Sequence, residues 1–213
     1  MTETLFATTE VRSIGVAGES LNVLDVIRRR RSVGKMTAAV PARALIEQLL
    51  EAAVWAPNHH LTEPWRFFVL SGNGRHVLGR AAAEAAAAGI DDPEKAEKAR
   101  ASAALKPLRA PYVIAVISSP SGDGGTPESE EHAAVAAAAQ NILLAAEAFG
   151  LAAIWRSGAP AFAPQVRDLF GVTERGQILG FIYVGYPAME RPERERTPAT
   201  TYTQWWESDS ADD

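Results

Sequence analysis

Cysteine is absent from all 213 residues. That single absence removes disulfide frameworks, thiolate zinc sites, iron–sulfur clusters and thiol nucleophiles together, so any redox chemistry must borrow its electron carrier. The glycine spacings that mark phosphate binding, G-x-G-x-x-G and G-x-x-x-x-G-K-S/T, are missing as well. Gly122-Asp123-Gly124-Gly125 follows Ser119-Pro120 and does not open directly into a helix, so a plain loop explains it better than a phosphate cradle. No stretch reaches the roughly 18 apolar residues that span a bilayer. Residues 1–19 lack the charged start and apolar run of a secretion signal, and the expectation is a cytoplasmic protein without a membrane partner. An excess of positive charge is lacking too: 21 Lys and Arg against 26 Asp and Glu leave a formal charge of −5. Nucleic acid is therefore not an expected partner, and any contact with a polyanion must be local.

What is present is an ordinary globular balance, 47% hydrophobic and 22% charged, enough for one sizeable core. Residues 1–19 read as an N-terminal arm, 20–187 as the domain and 188–213 as a polar, Pro-rich extension. The first helix is expected at Ser20, capped by that residue, with Leu21, Leu24 and Ile27 on one apolar face and Arg28 to Arg31 at its end. A second starts at Pro41 and runs to about Trp55, where Pro57 stops it. Strands are expected over 65–70, 112–118, up to Trp155, and 177–185; the second is apolar at nearly every position and so buried on both faces. Two Ala- and Glu-rich helices lie between the first two strands, and another begins near Pro164. From Glu128 to Phe149 runs a long helix with nine alanines between Ala133 and Ala148, ending at Gly150; its small side chains suit a central position with neighbours all round. The fold class is α+β, with a small sheet of three or four strands among many helices.

Three features could carry chemistry. Arg28 to Arg31 followed by Ser32 offers guanidinium forks beside a hydroxyl, a combination that binds a terminal phosphate; on those residues alone a solvated helix end is the commoner explanation of a basic run. The stretch from Trp55 to Phe67, Trp-Ala-Pro-Asn-His-His-Leu-Thr-Glu-Pro-Trp-Arg-Phe, is a loop dense in hydrogen-bonding groups between a helix and a strand. A metal there would use His59, His60 and Glu63, but adjacent histidines on an extended loop are expected to point apart, and Trp65 and Phe67 read as core. Ala153-Ile154-Trp155-Arg156-Ser157-Gly158 is a core strand ending in an aromatic, a cation and a hydroxyl; it either faces a site or packs an indole beside a surface Arg.

In order along the chain, Arg-Arg-Ser, Ala-Pro-Asn-His, Pro-Trp-Arg-Phe, Glu-Ala-Phe-Gly-Leu, Trp-Arg-Ser-Gly and Gly-Phe-Ile-Tyr-Val-Gly-Tyr-Pro resemble the nitroreductase family of flavoproteins, its short members above all, over about residues 21–187. The resemblance implies an intertwined homodimer with FMN in clefts between subunits. It implies hydride transfer from NADPH or NADH to the flavin and onward, by a ping-pong cycle, to a small-molecule electron acceptor such as a nitroaromatic or a quinone. Arg30, Arg31 and Ser32 would hold the FMN phosphate and ribityl chain, and Trp155, Arg156 and Ser157 would line the ring system. Trp55 and His59 would approach from the partner subunit, with Asn58 and His60 as secondary candidates for the same contact. Ala145, Ala146, Glu147, Ala148, Phe149 and Gly150 would lie near the nicotinamide nucleotide. No catalytic side chain is assigned, because the flavin carries the chemistry and the protein supplies orientation and charge.

Two departures stand out. Many family members end in a basic residue that reaches the phosphate, whereas here Arg191-Pro192-Glu193-Arg194-Glu195-Arg196 alternates in charge, and Trp55 stands where a polar or basic residue is common. They motivate the alternative of a non-catalytic flavin-binding protein with the same fold.

Overall fold

Residues 22–120 and 125–206 are described by a computed structural model of the chain. The expected arm over 1–19, the Ser20 cap, Leu21 and most of the 122–125 loop lie outside those residues. Four strands, β1 (Trp65–Ser71), β2 (Tyr112–Ser118), β3 (Ala152–Arg156) and β4 (Gln177–Gly185), form one sheet in the order β1-β2-β4-β3. Every neighbouring pair is antiparallel. The α+β expectation holds.

Alternation of side chains along the strands builds two separate cores. Ile114, Val116, Ile182 and Val184 point to one face, where α2 (Arg43–Val54) and α5 (Glu128–Ala148) supply Leu49, Val135 and Ile142. Val113, Ala115, Ile117, Phe181 and Tyr183 point to the other, against Leu78 of α3 (Gly74–Ala87), Val166 of α7 (Pro164–Leu169) and Phe170. Because both faces are covered, β2 is buried at every position and apolar up to Ser118, even though the sheet is antiparallel. The remaining helices are α1 (Val23–Arg29), α4 (Pro93–Leu105) and the single turn α6 (Ala159–Phe162).

Helix α5 is the central element, and its alanines allow the close approach to α2 that Asn141 fixes by donating Nδ2 to the Ala52 carbonyl at 3.1 Å. It is not surrounded completely: Ala133, Gln140 and Ala148 are exposed. At the start of the chain the helix cap is Asn22, whose Oδ1 accepts from the backbone N–H of Leu24 and Asp25 at 3.0 and 3.1 Å. The buried residue of α1 is Val26, while Leu24 and Ile27 are 56% and 50% exposed, so the expected apolar face points away from this chain's core. Helix α2 begins at Arg43 and not at Pro41, because Pro41 is itself buried in the core and Ala42 is still extended. Trp65 is buried and Phe67 packs beside it, as their strand alternation implied.

Helices α3 and α4 touch most closely at Gly79, where a Cβ would stand 2.5 Å from the Ala104 carbonyl oxygen. Alanine is the better helix former by about 1 kcal/mol. A backbone atom cannot swing aside as a flexible side chain can, so overpacking outweighs propensity. Gly79→Ala is expected to lose about 1–3 kcal/mol. The check is a lowered denaturant midpoint with unchanged slope; a raised midpoint would show that α4 retreats freely.

Candidate functional site

The chain leaves α1 at Arg30 and runs along the free edge of β3. Ser32 pairs in parallel with Ala153, and the Val33 N–H donates to the Ala153 carbonyl at 3.1 Å. Ser32 is thereby delivered beside the end of the strand that carries Trp155. An open cleft of about 450 Å³ results, lined by Arg30, Ser32, Trp155 and Ser157 together with Gln140 and Leu143 of α5 and Leu179 of β4, within the roughly 300–1,000 Å³ of ligand pockets. Two motifs 125 positions apart, from Arg30 to Trp155, thus share one cavity. Gln140, Leu143 and Leu179 were not singled out from the sequence. Gln140 carries a signal in retrospect, as a polar side chain inside the alanine run; Leu179 carries none, because its placement comes from a bulge.

The pairing of β2 with β4 slips between Val116 and Ile117, whose partners are Gly180 and Ile178, so Leu179 is the extra residue. Its carbonyl accepts the Trp155 indole N–H at 3.1 Å. Trp155 is therefore neither purely packed nor free: its ring edge is fixed by β4 while it lines the cleft.

Charge is concentrated at the Arg30 end. The Arg30 guanidinium is held below its ordinary pKa by burial, then by the positive charges of Arg196 and Arg31, with Glu147 opposing. The charges of Arg31 and Arg196 both act on Arg30. Arg31 is already engaged with the main chain, donating Nε to the Pro192 carbonyl at 2.9 Å, Nη1 to those of Arg28 and Arg30 at 2.6 and 3.0 Å, and Nη2 to that of Arg194 at 3.5 Å. Arg191 is paired elsewhere, with Glu147 at 2.8 Å. Of the three extension arginines, Arg196 is the one whose charge depresses Arg30.

Arg156 alternates to the opposite face from Trp155. Its guanidinium lies 5.6 Å from the centre of the Tyr183 ring and borders a second cavity of about 380 Å³ with Lys106, Arg109 and Phe181. Burial pushes the Tyr183 phenol up, and the nearby Arg156 and Arg109 charges pull it partly back. Trp155 and Ser157 border both cavities, so the two meet at the end of β3.

The other expected residues do not line the Arg30 cleft of their own chain. Trp55 caps α2 and is 80% exposed. His59 Nδ1 lies 2.6 Å from a Glu130 carboxylate oxygen. His59 and His60 do not point apart: the loop is a tight turn, not extended, with His60 at φ 51°, and the rings stack with centroids 4.0 Å apart. Asn58 braces that turn by accepting the Glu63 N–H at 3.0 Å. Residues 145–150 form the end of α5; Ala146 and Glu147 are buried, Ala145 and Phe149 half-buried, and Ala148 and Gly150 exposed.

A model of the nitroreductase family matches residues 27–186. The chain belongs to the nitroreductase family. It is 32% identical over 186 residues to a protein of Escherichia coli strain K12 named "Putative NAD(P)H nitroreductase YdjA", covering 85% of this chain and 100% of that one. It is likewise 32% identical over 176 residues to the Bacillus subtilis protein "Putative NAD(P)H nitroreductase YfhC", covering 82% and 89%. Among solved structures it is similar to a nitroreductase-like family protein from Bacillus cereus, at 28% identity and TM-score 0.77, covering 90% of this chain and 99% of that one. A Desulfovibrio desulfuricans protein described as a "putative nitroreductase in complex with fmn" is similar at 25% identity and TM-score 0.67, covering 89% and 99%.

In this nitroreductase-family chain the cleft depends on one glycine. Gly180 has φ 145°, and a Cβ there would stand 2.4 Å from Trp155 Nε1 and 2.5 Å from the Arg156 carbonyl oxygen. Gly180→Ala is expected to lose about 2–4 kcal/mol through strain and collision. It should also displace the indole. Chemical denaturation with near-ultraviolet circular dichroism checks both, and an unaltered aromatic signal would remove Gly180 as the residue that seats Trp155.

Proposed function

We propose that this chain is an FMN-dependent oxidoreductase that takes hydride from NADPH or NADH and passes electrons to a nitroaromatic, quinone or similar small acceptor. The observation that carries the reading is the cleft that joins Arg30 and the exposed Ser32 to Trp155, with the positive charges of Arg31 and Arg196 adding to that of Arg30 and Glu147 opposing. Cations gathered against their mutual repulsion suit a dianionic phosphate. The cleft then runs to Trp155, Leu143 and Leu179, apolar surfaces that suit an aromatic ring system. The donor set fits FMN. When bound, the flavin supplies the two-electron carrier that a cysteine-free chain lacks.

Within that reading Arg30, Ser32 and Arg196 hold the phosphate, and Arg31 contributes charge while its donors hold backbone. Trp155 and Ser157 border the ring, and Arg156, in the adjoining cavity that meets the cleft at the end of β3, supplies a cation toward its pyrimidine edge that favours negative charge on a reduced ring. Trp55 and His59 act across a homodimer interface. Val23, Leu24, Ile27, Trp55 and Leu61, large apolar side chains that this chain leaves exposed, support a second copy of the chain that covers them. The relatives' names support a nicotinamide donor, and the Desulfovibrio complex supports FMN.

Arg30→Gln removes a charge-assisted contact of about 2 kcal/mol, so flavin affinity should fall roughly thirtyfold. Fluorescence titration of the stripped protein measures it, and unchanged affinity would withdraw Arg30 from the phosphate site. Anaerobic addition of NADH or NADPH should bleach the flavin band near about 450 nm, as cofactor-borne hydride transfer requires. Flavin that stays yellow with both nucleotides would favour the non-catalytic binder.

A further inference from the structure

The chain beyond β4 is held first by main-chain bonds and then by side chains. Its first residues are sewn to 35–37: the Thr37 N–H donates to the Tyr186 carbonyl at 2.9 Å, and the Ala188 N–H to the Lys35 carbonyl at 3.0 Å. From residue 189 to 198 no helix or strand forms, and every residue except Arg191 is exposed. Two pins cross that stretch. Arg191 reaches inward, donating Nε to Glu147 Oε2 at 2.8 Å and Nη2 to the Leu151 carbonyl at 3.5 Å. Arg31 reaches outward and takes the carbonyls of Pro192 and Arg194. The Glu147 side chain is only 4% exposed, so it depends on Arg191 for its charge partner as much as the segment depends on it.

We infer that Glu147, Arg191 and Arg31 form a clasp on the C-terminal segment that keeps Arg196, two residues past the Arg194 carbonyl held by Arg31, on the Arg30 side of the cleft before any anion arrives. The inference rests on the flavin-phosphate reading for its consequence, though not for the clasp itself. Arg196 and Arg30 repel one another, so a loose segment would carry Arg196 away. The clasp opposes that repulsion and pre-organises the pair. Glu147 and Arg191 are thus positioning residues for an anion they do not touch.

The test uses the full chain, with and without FMN. Trypsin does not cut before proline, so Arg191 is protected by Pro192, while the bonds after Arg194 and Arg196 report whether the segment is held. Glu147→Gln should speed cleavage after Arg194 about tenfold and weaken FMN binding about tenfold. Arg196→Gln should weaken FMN binding by a similar factor without speeding cleavage after Arg194. Adding Arg196→Gln to Glu147→Gln should then cost little more, because the displaced Arg196 has already been lost. Arg191→Met, at the less buried member of the pair, repeats the test where the buried substitution disturbs folding, and melting curves show whether it has. Unchanged cleavage in both clasp variants overturns the clasp. Faster cleavage with unaltered FMN affinity, or losses that simply add in the double variant, overturns its positioning role. If the wild-type chain takes up no FMN, the proposed function falls, and cleavage of the flavin-free chain still decides the clasp.

Discussion

Burial of the sheet on both faces is the constraint from which the site follows. With β2 and β4 enclosed between the α2/α5 layer and the α3/α7 layer, a ligand can reach the sheet only at its ends or edges. The β3 edge is partly closed by residues 32–33, which add one parallel bridge and then turn away. The corner where β3 ends stays open, and every residue lining the Arg30 cleft meets there because α1, α5, β3 and β4 all terminate or pass beside it.

Electrostatics at that corner runs against the rest of the molecule. The chain carries a formal charge of −5, yet burial first, and then the positive charges of Arg196 and Arg31, hold Arg30 below its ordinary pKa. Self-repulsion of that kind is tolerated when neighbouring groups hold the cations in place. Main-chain carbonyls do so for Arg31, and Glu147 counters part of the field. Arg191 neutralises Glu147 in turn, so the local balance is a chain of dependence from a buried carboxylate to an exposed segment.

Much of this was legible in the sequence because it rests on local signals. The four strands, the helix starting at Pro93 and the helix from Glu128 follow from proline placement and apolar periodicity, and the structure keeps them within a residue or two. Errors fall where tertiary packing overrides local preference. Pro41, suited to a first helical position, is drawn into the core and α2 starts two residues later. Leu24 and Ile27 form an apolar stripe that this chain does not bury. The histidine pair stacks because His60 takes a left-handed conformation that no residue nearby announces. Leu179 enters the cleft through a bulge, which period-two reading treats as an error of register.

The extension illustrates a different limit. Its alternating Arg and Glu suggest an exposed strip, and nine of the ten residues from 189 to 198 are exposed. The exception, Arg191, depends on Glu147, whose place in the buried turn of α5 cannot be inferred from the extension itself. The family match stops at residue 186, just where β4 ends and this segment begins. The part of the chain that presents Arg196 to Arg30 thus lies outside the part that identifies the fold. An alternating charged tail becomes a held segment only because a carboxylate buried in the central helix needs a cation, and position 191 supplies it.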